Sequence, residues 1–190
     1  MSFTAGALLP EESRLVAPLF LEFDDLKLIR RRAVEDRLIS TRTESAGRRV
    51  LSEIISRLAL LPTQGLELVA HGRPEEARQA LWLACCLRYP VIRDFAEGPL
   101  AESARVPGSS VSAQDVESFF LSQEALHPEL SGVSGGTKAK LRQVLRLMLV
   151  QAGLLSASGL LGRGLLAPGI TELMHEIPGA KMWLGGLFLP

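Results

Sequence analysis

Residues 136–152 read G-T-K-A-K-L-R-Q-V-L-R-L-M-L-V-Q-A, and this stretch decides the fold class. Its apolar residues recur at the spacing of one helix face, and they are Leu141, Val144, Leu145, Met148 and Ala152. The preceding loop S-G-V-S-G-G, residues 131–136, leads into Thr137, which is predicted to cap the helix. The pattern indicates an amphipathic helix over 138–152 that buries one face against other helices.

Outward from this helix, the chain carries further helix starts and stops. Helices are predicted near 10–20, 24–38, 41–60, 63–72, 74–89, 90–104, 112–125 and 170–176. Thr41 with Glu44 has capping-box spacing for the third of these, and Ser112 with Asp115 caps a later one. The segment L-L-S-A-S-G-L-L-G-R-G-L-L, residues 154–166, forms either a short hairpin or an irregular loop.

The composition predicts one helical domain. The chain has 190 residues, 47% of them hydrophobic and 22% charged, so it can bury a sizeable core. Only 5% are aromatic, while Leu, Ala, Arg and Glu dominate, which favours helices over strands. We predict an all-α, compact single-domain bundle over 1–190, whose sub-parts of about 1–104 and 112–177 share a core. The apolar stretch 178–190 either packs over that core or docks on a partner subunit.

The sequence also predicts a cytoplasmic protein without a membrane segment. No basic-then-apolar leader is visible, and Glu11 and Glu12 come early. The longest uncharged run, 147–162, is shorter than the roughly 20 residues of a spanning helix. Cys85 and Cys86 are neighbours that point in different directions from a helix, so we expect free thiols in a reducing compartment. We expect a monomer.

The net charge is zero, but the charges are unevenly distributed along the chain. Residues 27–57 carry nine basic and four acidic side chains, and residues 94–130 carry one basic and seven acidic side chains. Residues 131–163 then carry five basic side chains and no acidic one. Two basic segments separated by an acidic one suggest that the basic segments have an anionic partner.

The second basic segment contains a stripe that fits a DNA-recognition helix. Lys138, Arg142 and Arg146 recur every four residues beside the apolar face. A helix–turn–helix presents such a helix to the major groove, with Thr137 and Lys138 at its N-terminus, where backbone N–H groups also favour phosphates. The Gly-rich segment with Arg163 is predicted to act as a wing. The alternative is that the stripe is the solvated face of a core helix.

The first basic segment gives a weaker indication of the same kind. Arg30, Arg31 and Arg32 are consecutive, and with Arg42 and Arg48 they are predicted to form a second surface for phosphates. For the third helix, the alternative to a phosphate-binding surface is an ordinary surface salt-bridge ladder. Arg49, Glu53 and Arg57 have the four-residue spacing of such a ladder.

No catalytic, metal or cofactor site is predicted. The run G-V-S-G-G, residues 132–136, has the letters of a nucleophile elbow, but no strand precedes Ser134. The run G-G-T-K, residues 135–138, lacks the order of a phosphate-binding loop. The three histidines are scattered without metal-ligand spacing. We therefore predict a protein that is not an enzyme.

Three stretches resemble the BrxA family of the BREX (bacteriophage exclusion) systems. They are T-A-G-A-L-L-P-E at 4–11, R-R-V-L-S-E-I-I-S-R-L at 48–58 with A-R-Q-A-L-W-L-A at 77–84, and G-T-K-A-K-L-R-Q-V-L-R-L-M-L-V-Q-A-G-L-L at 136–155. The resemblance covers roughly residues 4–155, and its motifs are structural patterns without a catalytic signature. Residues after 181 do not match the family.

The resemblance implies a compact all-α fold with helix–turn–helix elements and binding of double-stranded DNA, beside other BREX proteins that distinguish self from phage DNA. By position it assigns the helix–turn–helix contacts to Thr137, Lys138, Lys140, Arg142 and Arg146, flanked by Arg42, Arg48 and Arg49. Two alternatives stay open. One is a helical adaptor whose arginines bind acidic partner proteins, and the other is an RNA-binding bundle.

Overall fold

A computed structural model describes residues 6–106, 108–124, 132–162 and 166–184. Its helices are α1 (Pro10–Glu22), α2 (Leu26–Glu35), α3 (Glu44–Leu58), α4 (Thr63–His71), α5 (Pro74–Arg88), α6 (Pro90–Phe95), α7 (Ala101–Ala104), α8 (Ala113–Gln123), α9 (Gly135–Gln151), α10 (Pro168–Glu176) and α11 (Ala180–Trp183). A π-helical turn, Ala96–Leu100, joins α6 to α7. The predicted all-α class is confirmed.

Helix α5 lies at the centre of the molecule because its sequence is apolar on almost every face. Residues 80–86, A-L-W-L-A-C-C, have no exposed surface. A helix that is apolar all round must be covered on all sides, and α5 packs against α1, α3, α4, α6, α9, α10 and α11. Burial raises the pKa of the Cys85 and Cys86 thiols, so both stay protonated and unreactive.

Two predicted caps are wrong by two or three residues. Helix α3 is capped by Thr43, whose Oγ1 accepts a hydrogen bond from Ala46 N, while Thr41 Oγ1 donates to Thr43 O. Helix α9 begins before Thr137, because Ser134 Oγ accepts from Thr137 N and serves as the cap. In both cases two hydroxyl residues lie within one turn, and their spacing alone does not decide between them. The predicted box at α8 is present, with Ser112 and Asp115 each accepting from the other's backbone N–H.

A buried ion pair fixes the N-terminal segment to the core. Arg57, with 1% of its side chain exposed, pairs with Glu53 at 2.7 Å and donates to Ala7 O at 2.6 Å. Tyr89 donates its phenolic hydrogen to the same Glu53 carboxylate. The interpretation of Arg49, Glu53 and Arg57 as one surface ladder is therefore wrong, since Glu53 and Arg57 turn inward beneath Tyr89.

The C-terminal helices close the other side of α5. Glu76 accepts hydrogen bonds from Arg73 N and Gly169 N, and so holds the start of α10 to the start of α5. Trp82 Nε1 donates to Trp183 O at 2.8 Å, and Trp183 Nε1 donates to Glu97 at 2.7 Å. Trp183 and the following leucine are buried, so the first part of the apolar tail packs on the core; residues 185–190 lie outside the described residues.

Across the described ranges, no helix is both long enough and apolar enough to span a membrane.

Candidate nucleic-acid interface

The basic stripe of α9 is turned toward its neighbour α8. Lys138 Nζ lies 2.7 Å from a carboxylate oxygen of Glu124, and Arg142 Nη2 lies 3.3 Å from a carboxylate oxygen of Glu117. The side chains of Lys138 and Arg142 are 21% and 26% exposed. The basic segment 131–163 therefore receives its acidic partners from the preceding acidic segment, which the linear order of charges does not reveal.

The guanidinium group of Arg146 donates hydrogen bonds to backbone carbonyl oxygens. Its Nη1 donates to Val111 O at 3.1 Å, and its Nη2 donates to Ala157 O at 3.4 Å. Both guanidinium nitrogens also lie close to Gly159, whose φ of 88° is left-handed and favours glycine. Arg146 thus ties α9 to the turn that follows it and to the segment before α8.

Over the described residues 154–162 that turn is a hairpin, one of the two forms predicted for residues 154–166. Leu155 pairs antiparallel with Leu161, and Ser110 pairs antiparallel with Leu160, as isolated bridges. Along the chain, Ser110 is therefore followed by α8, by α9 and then by the hairpin, which returns to pair with Ser110. Arg163, the predicted basic residue of the wing, lies outside the described residues.

Two predicted contact residues of α9 project into solvent. Thr137 and Lys140 are exposed, and Lys140 Nζ lies 3.4 Å from Gln143 Oε1. The exposed face of α9 then continues through Leu147, which is 47% exposed. This face carries fewer charges than the stripe beside α8.

Three of the predicted residues of the first basic segment meet at a shallow groove between α2 and α3. Arg30, Arg48 and Arg49 line this groove, which has a volume of about 480 Å³ and is named here the basic groove. Arg30 Nη2 reaches Ser52 Oγ at 3.5 Å across it. Arg48 pairs with Glu44 on its own helix at 2.5 Å. The folded chain therefore brings together arginines from two separate helices.

The arginines of the first basic segment differ in their partners. Arg31 lies 3.9 Å from Glu35, one turn along α2, in a contact between exposed groups. Arg42 and Arg49 are exposed and take part in none of the hydrogen bonds or ion pairs found within the described ranges. Exposed arginines without competing carboxylates are available to a polyanion.

A second groove adjoins the first and was not predicted from the sequence. It has a volume of about 470 Å³, lies between the end of α2 and the start of α3, and shares Glu44 and Arg48 with the basic groove. We name it the apolar groove, because the buried side chains of Ala33 and Leu51 form its floor. Arg37 stands at its edge with a left-handed φ of 50°.

Hydrogen bonds of Arg37 and Leu38 explain that conformation. Leu38 N donates to Ala33 O and Arg37 N donates to Val34 O, each at 3.1 Å, which is the Schellman ending of a helix. Its left-handed position usually holds glycine. The sequence offers no glycine here, so no turn signal marked the site.

The N-terminal segment links the helices of the two basic segments. Leu8 N donates to Gln151 Oε1 at 2.8 Å, at the end of α9, and Ala7 O accepts from Arg57 near the end of α3. These contacts join the C-terminal ends of α3 and α9 through one short segment.

The described residues offer no group of three or more His, Cys, Asp or Glu side chains arranged to hold a metal ion. Ser134, at the run that has the letters of a nucleophile elbow, caps α9 and contacts Thr137 Oγ1 at 3.0 Å. His71 lies beside Glu67 on the surface of α4, at 3.9 Å.

Comparison with known proteins gives three findings. The model of the BrxA family matches residues 1–177. The BREX protein BrxA of Escherichia coli O9:H4 (strain HS) is 28% identical over 148 residues, which are 78% of this chain and 70% of that protein. The crystal structure of an uncharacterized protein from Magnetospirillum magneticum superimposes with a TM-score of 0.80 at 18% identity, covering 98% of this chain and 96% of that one, and it supports the fold alone.

Proposed function

The chain belongs to the BrxA family, and from this membership we propose that it is a double-stranded DNA-binding component of a BREX phage-defence system. It acts without catalysis, in the cytoplasm, as a monomer beside other BREX proteins. Its ligand is the phosphate backbone of the duplex, because the basic side chains in question are solvent-facing arginines and lysines.

The observation that carries this proposal is the set of arginines around the basic groove. Arg30, Arg48 and Arg49 converge from two helices, and Arg31 and Arg42 are exposed in the same basic segment of the sequence. Guanidinium groups bind phosphate through two parallel hydrogen bonds, so a cluster of exposed arginines suits a phosphate backbone. Among the residues that line the groove, Glu44 is the one acidic side chain.

Helix α9 and the hairpin after it have a smaller part in the proposal. Thr137 and Lys140 face solvent and are free to contact phosphates directly. Lys138 and Arg142 would first have to exchange their glutamate partners for phosphates, which reduces the net gain. We therefore assign most of the affinity to the arginines of α2 and α3.

A salt series on the purified protein tests this assignment. Binding to a random-sequence duplex should weaken linearly on a plot of log affinity against log salt. In Arg48→Gln/Arg49→Gln the slope should fall by about one for each lost phosphate contact. Arg78→Gln/Arg105→Gln is the matched control, since it removes two exposed arginines elsewhere. An unchanged slope in the first variant would remove the basic groove from the interface.

A second candidate function is the helical adaptor. It is favoured by Glu117 and Glu124, which interleave with the cations of α9 and leave that surface mixed in charge. Mixed surfaces of this kind suit protein partners better than a polyanion. Absence of duplex binding at low salt, in a protein that remains folded, would make the adaptor the leading function.

A further inference from the structure

The apolar groove has features of a binding site for one nucleotide unit. Its volume of about 470 Å³ lies within the range of roughly 300–1,000 Å³ that is typical of small-molecule sites. Its floor is apolar, and its rim holds the hydroxyls of Ser40 and Thr43 and the carboxylate of Glu44. A flat ring with polar edges matches such a groove, because its faces lose water while its edge atoms find hydrogen-bond partners.

We propose that this groove receives the base of a single unstacked nucleotide from the bound DNA, while the adjoining basic groove holds its phosphate. The inference rests on the proposed function. The two grooves adjoin each other, since Glu44 and Arg48 line both. The base therefore lies over Ala33 and Leu51, and the phosphate lies among Arg30, Arg48 and Arg49.

Arg37 is the residue that most directly points to a ligand. It occupies the left-handed position of a Schellman ending, where glycine is free of strain and an arginine is not. Its side chain lines the groove, is exposed and takes part in none of the hydrogen bonds or ion pairs found among the described residues, so the guanidinium is available to a ligand. Its guanidinium plane can stack on a base, as arginine does in nucleic-acid complexes, and no aromatic residue lines the groove to do so instead.

Contacts within the protein hold the groove in shape. A Cβ atom at Gly47 would lie 3.0 Å from Thr41 Oγ1, so the loop before α3 rests directly on the helix at that glycine. Thr41 Oγ1 also donates to Thr43 O at 2.8 Å, which fixes the loop from within. A preformed groove loses little entropy when it is filled.

The experiment compares two duplexes of one sequence, the first fully paired and the second with one bulged 2-aminopurine. The protein should bind the bulged duplex about tenfold more tightly, and 2-aminopurine fluorescence should change on binding. Arg37→Gly should abolish this preference and keep paired-duplex affinity within about twofold, because glycine suits the backbone position. Arg105→Gln removes one exposed arginine elsewhere and should keep the preference.

A second variant tests the floor and edge of the groove. Val34 is 54% exposed at its edge, so Val34→Glu should leave the fold intact and repel the nucleotide. Leu60→Glu, at a residue 44% exposed outside the groove, is its control. The preference for the bulged duplex should be lost in the first and retained in the second.

The possible failures are distinguishable. Equal affinity of the wild-type protein for both duplexes would overturn this inference and leave the proposed function standing. No binding to either duplex would overturn both. Arg37-dependent binding of free deoxyadenosine monophosphate, or displacement by a glutamate-rich peptide, without a preference for the bulge would assign the groove to another ligand and also overturn the inference.

Discussion

Arg57 is the residue on which the N-terminal half depends most. Burial lowers the pKa of its guanidinium, but the contacts with Tyr89 and Glu53 outweigh that effect and the pKa ends above its ordinary value, so the side chain stays charged. Removing one partner of a buried ion pair leaves the other uncompensated, so Arg57→Ala should lower the free energy of unfolding by about 3–5 kcal/mol. Urea denaturation followed by circular dichroism measures this loss.

The double variant Arg57→Met/Glu53→Gln separates charge from packing. It fills much of the same volume and leaves no buried charge, so it should recover part of the stability lost in Arg57→Ala. A double variant as unstable as the single one would show that the hydrogen bond to Ala7 O, and not the ion pair, is what matters.

Glu76 gives a prediction that depends on pH. Its hydrogen bond from Arg73 N, helped by that from Gly169 N, lowers the pKa of the carboxyl, so the folded state favours the ionised form. The resulting stability is present above the ordinary carboxyl pKa and is lost as pH falls through that value toward the lower folded one. Glu76→Gln should therefore lower unfolding free energy by about 1–3 kcal/mol near neutral pH.

Thermal unfolding across a pH series measures the Glu76 effect. The difference between wild type and Glu76→Gln should shrink as the solution becomes acidic, because the wild-type carboxyl is then protonated as well. Glu75→Gln is the control on the same helical turn, where the side chain is exposed. A difference independent of pH would mean that shape, and not charge, sets the role of Glu76.

At the scale of the elements, the spacing of apolar residues predicted the helices and the all-α class, but it did not predict which charged side chains pair between helices. The apolar face of α9 follows from its own sequence, and all five of its predicted core residues are buried. The partners of its cations, Glu117 and Glu124, come from another helix and cannot be read from local spacing. The same holds for Arg37, because its left-handed backbone arises from the way in which α2 ends.

Arg146 connects α9 with the hairpin, and this gives a prediction for an element. Arg146→Met should lower unfolding free energy by about 1–2 kcal/mol, since it leaves Val111 O and Ala157 O without this donor. Amide exchange should speed up at Val111, whose N–H donates to Gly159 O, and at Leu161, whose N–H donates to Ser109 O.

Lys140→Met is the control for the hairpin prediction. Lys140 is exposed on the same helix, so this variant should change stability by less than about 0.5 kcal/mol. Unchanged exchange at Val111 and Leu161 in Arg146→Met would show that the bridges hold the hairpin unaided. Because Arg146 has this structural contact, weaker DNA binding in its variants is not by itself a sign of a DNA contact.

For the whole molecule, a net charge of zero means that local clusters, and not the overall field, must attract DNA. The ion pairs beside the basic groove, such as Arg48 with Glu44, join exposed groups, whereas Lys138 and Arg142 of the α9 stripe are mostly covered beside their glutamate partners. Affinity for DNA should therefore depend strongly on the arginines around the basic groove and weakly on the basic stripe of α9.

Comparison of two charge-removing double variants tests this division. Arg48→Gln/Arg49→Gln should weaken duplex binding at least tenfold at low salt, since each phosphate contact contributes to counterion release, roughly one ion per contact. Lys138→Gln/Arg142→Gln should weaken it less, because both cations are mostly covered beside their glutamate partners, whereas the Arg48–Glu44 pair is exposed and readily exchanged. If the two losses add in the quadruple variant, the clusters act independently. If they couple, one duplex spans both basic segments, and the joint that Leu8 and Arg57 make between α9 and α3 becomes part of the interface geometry.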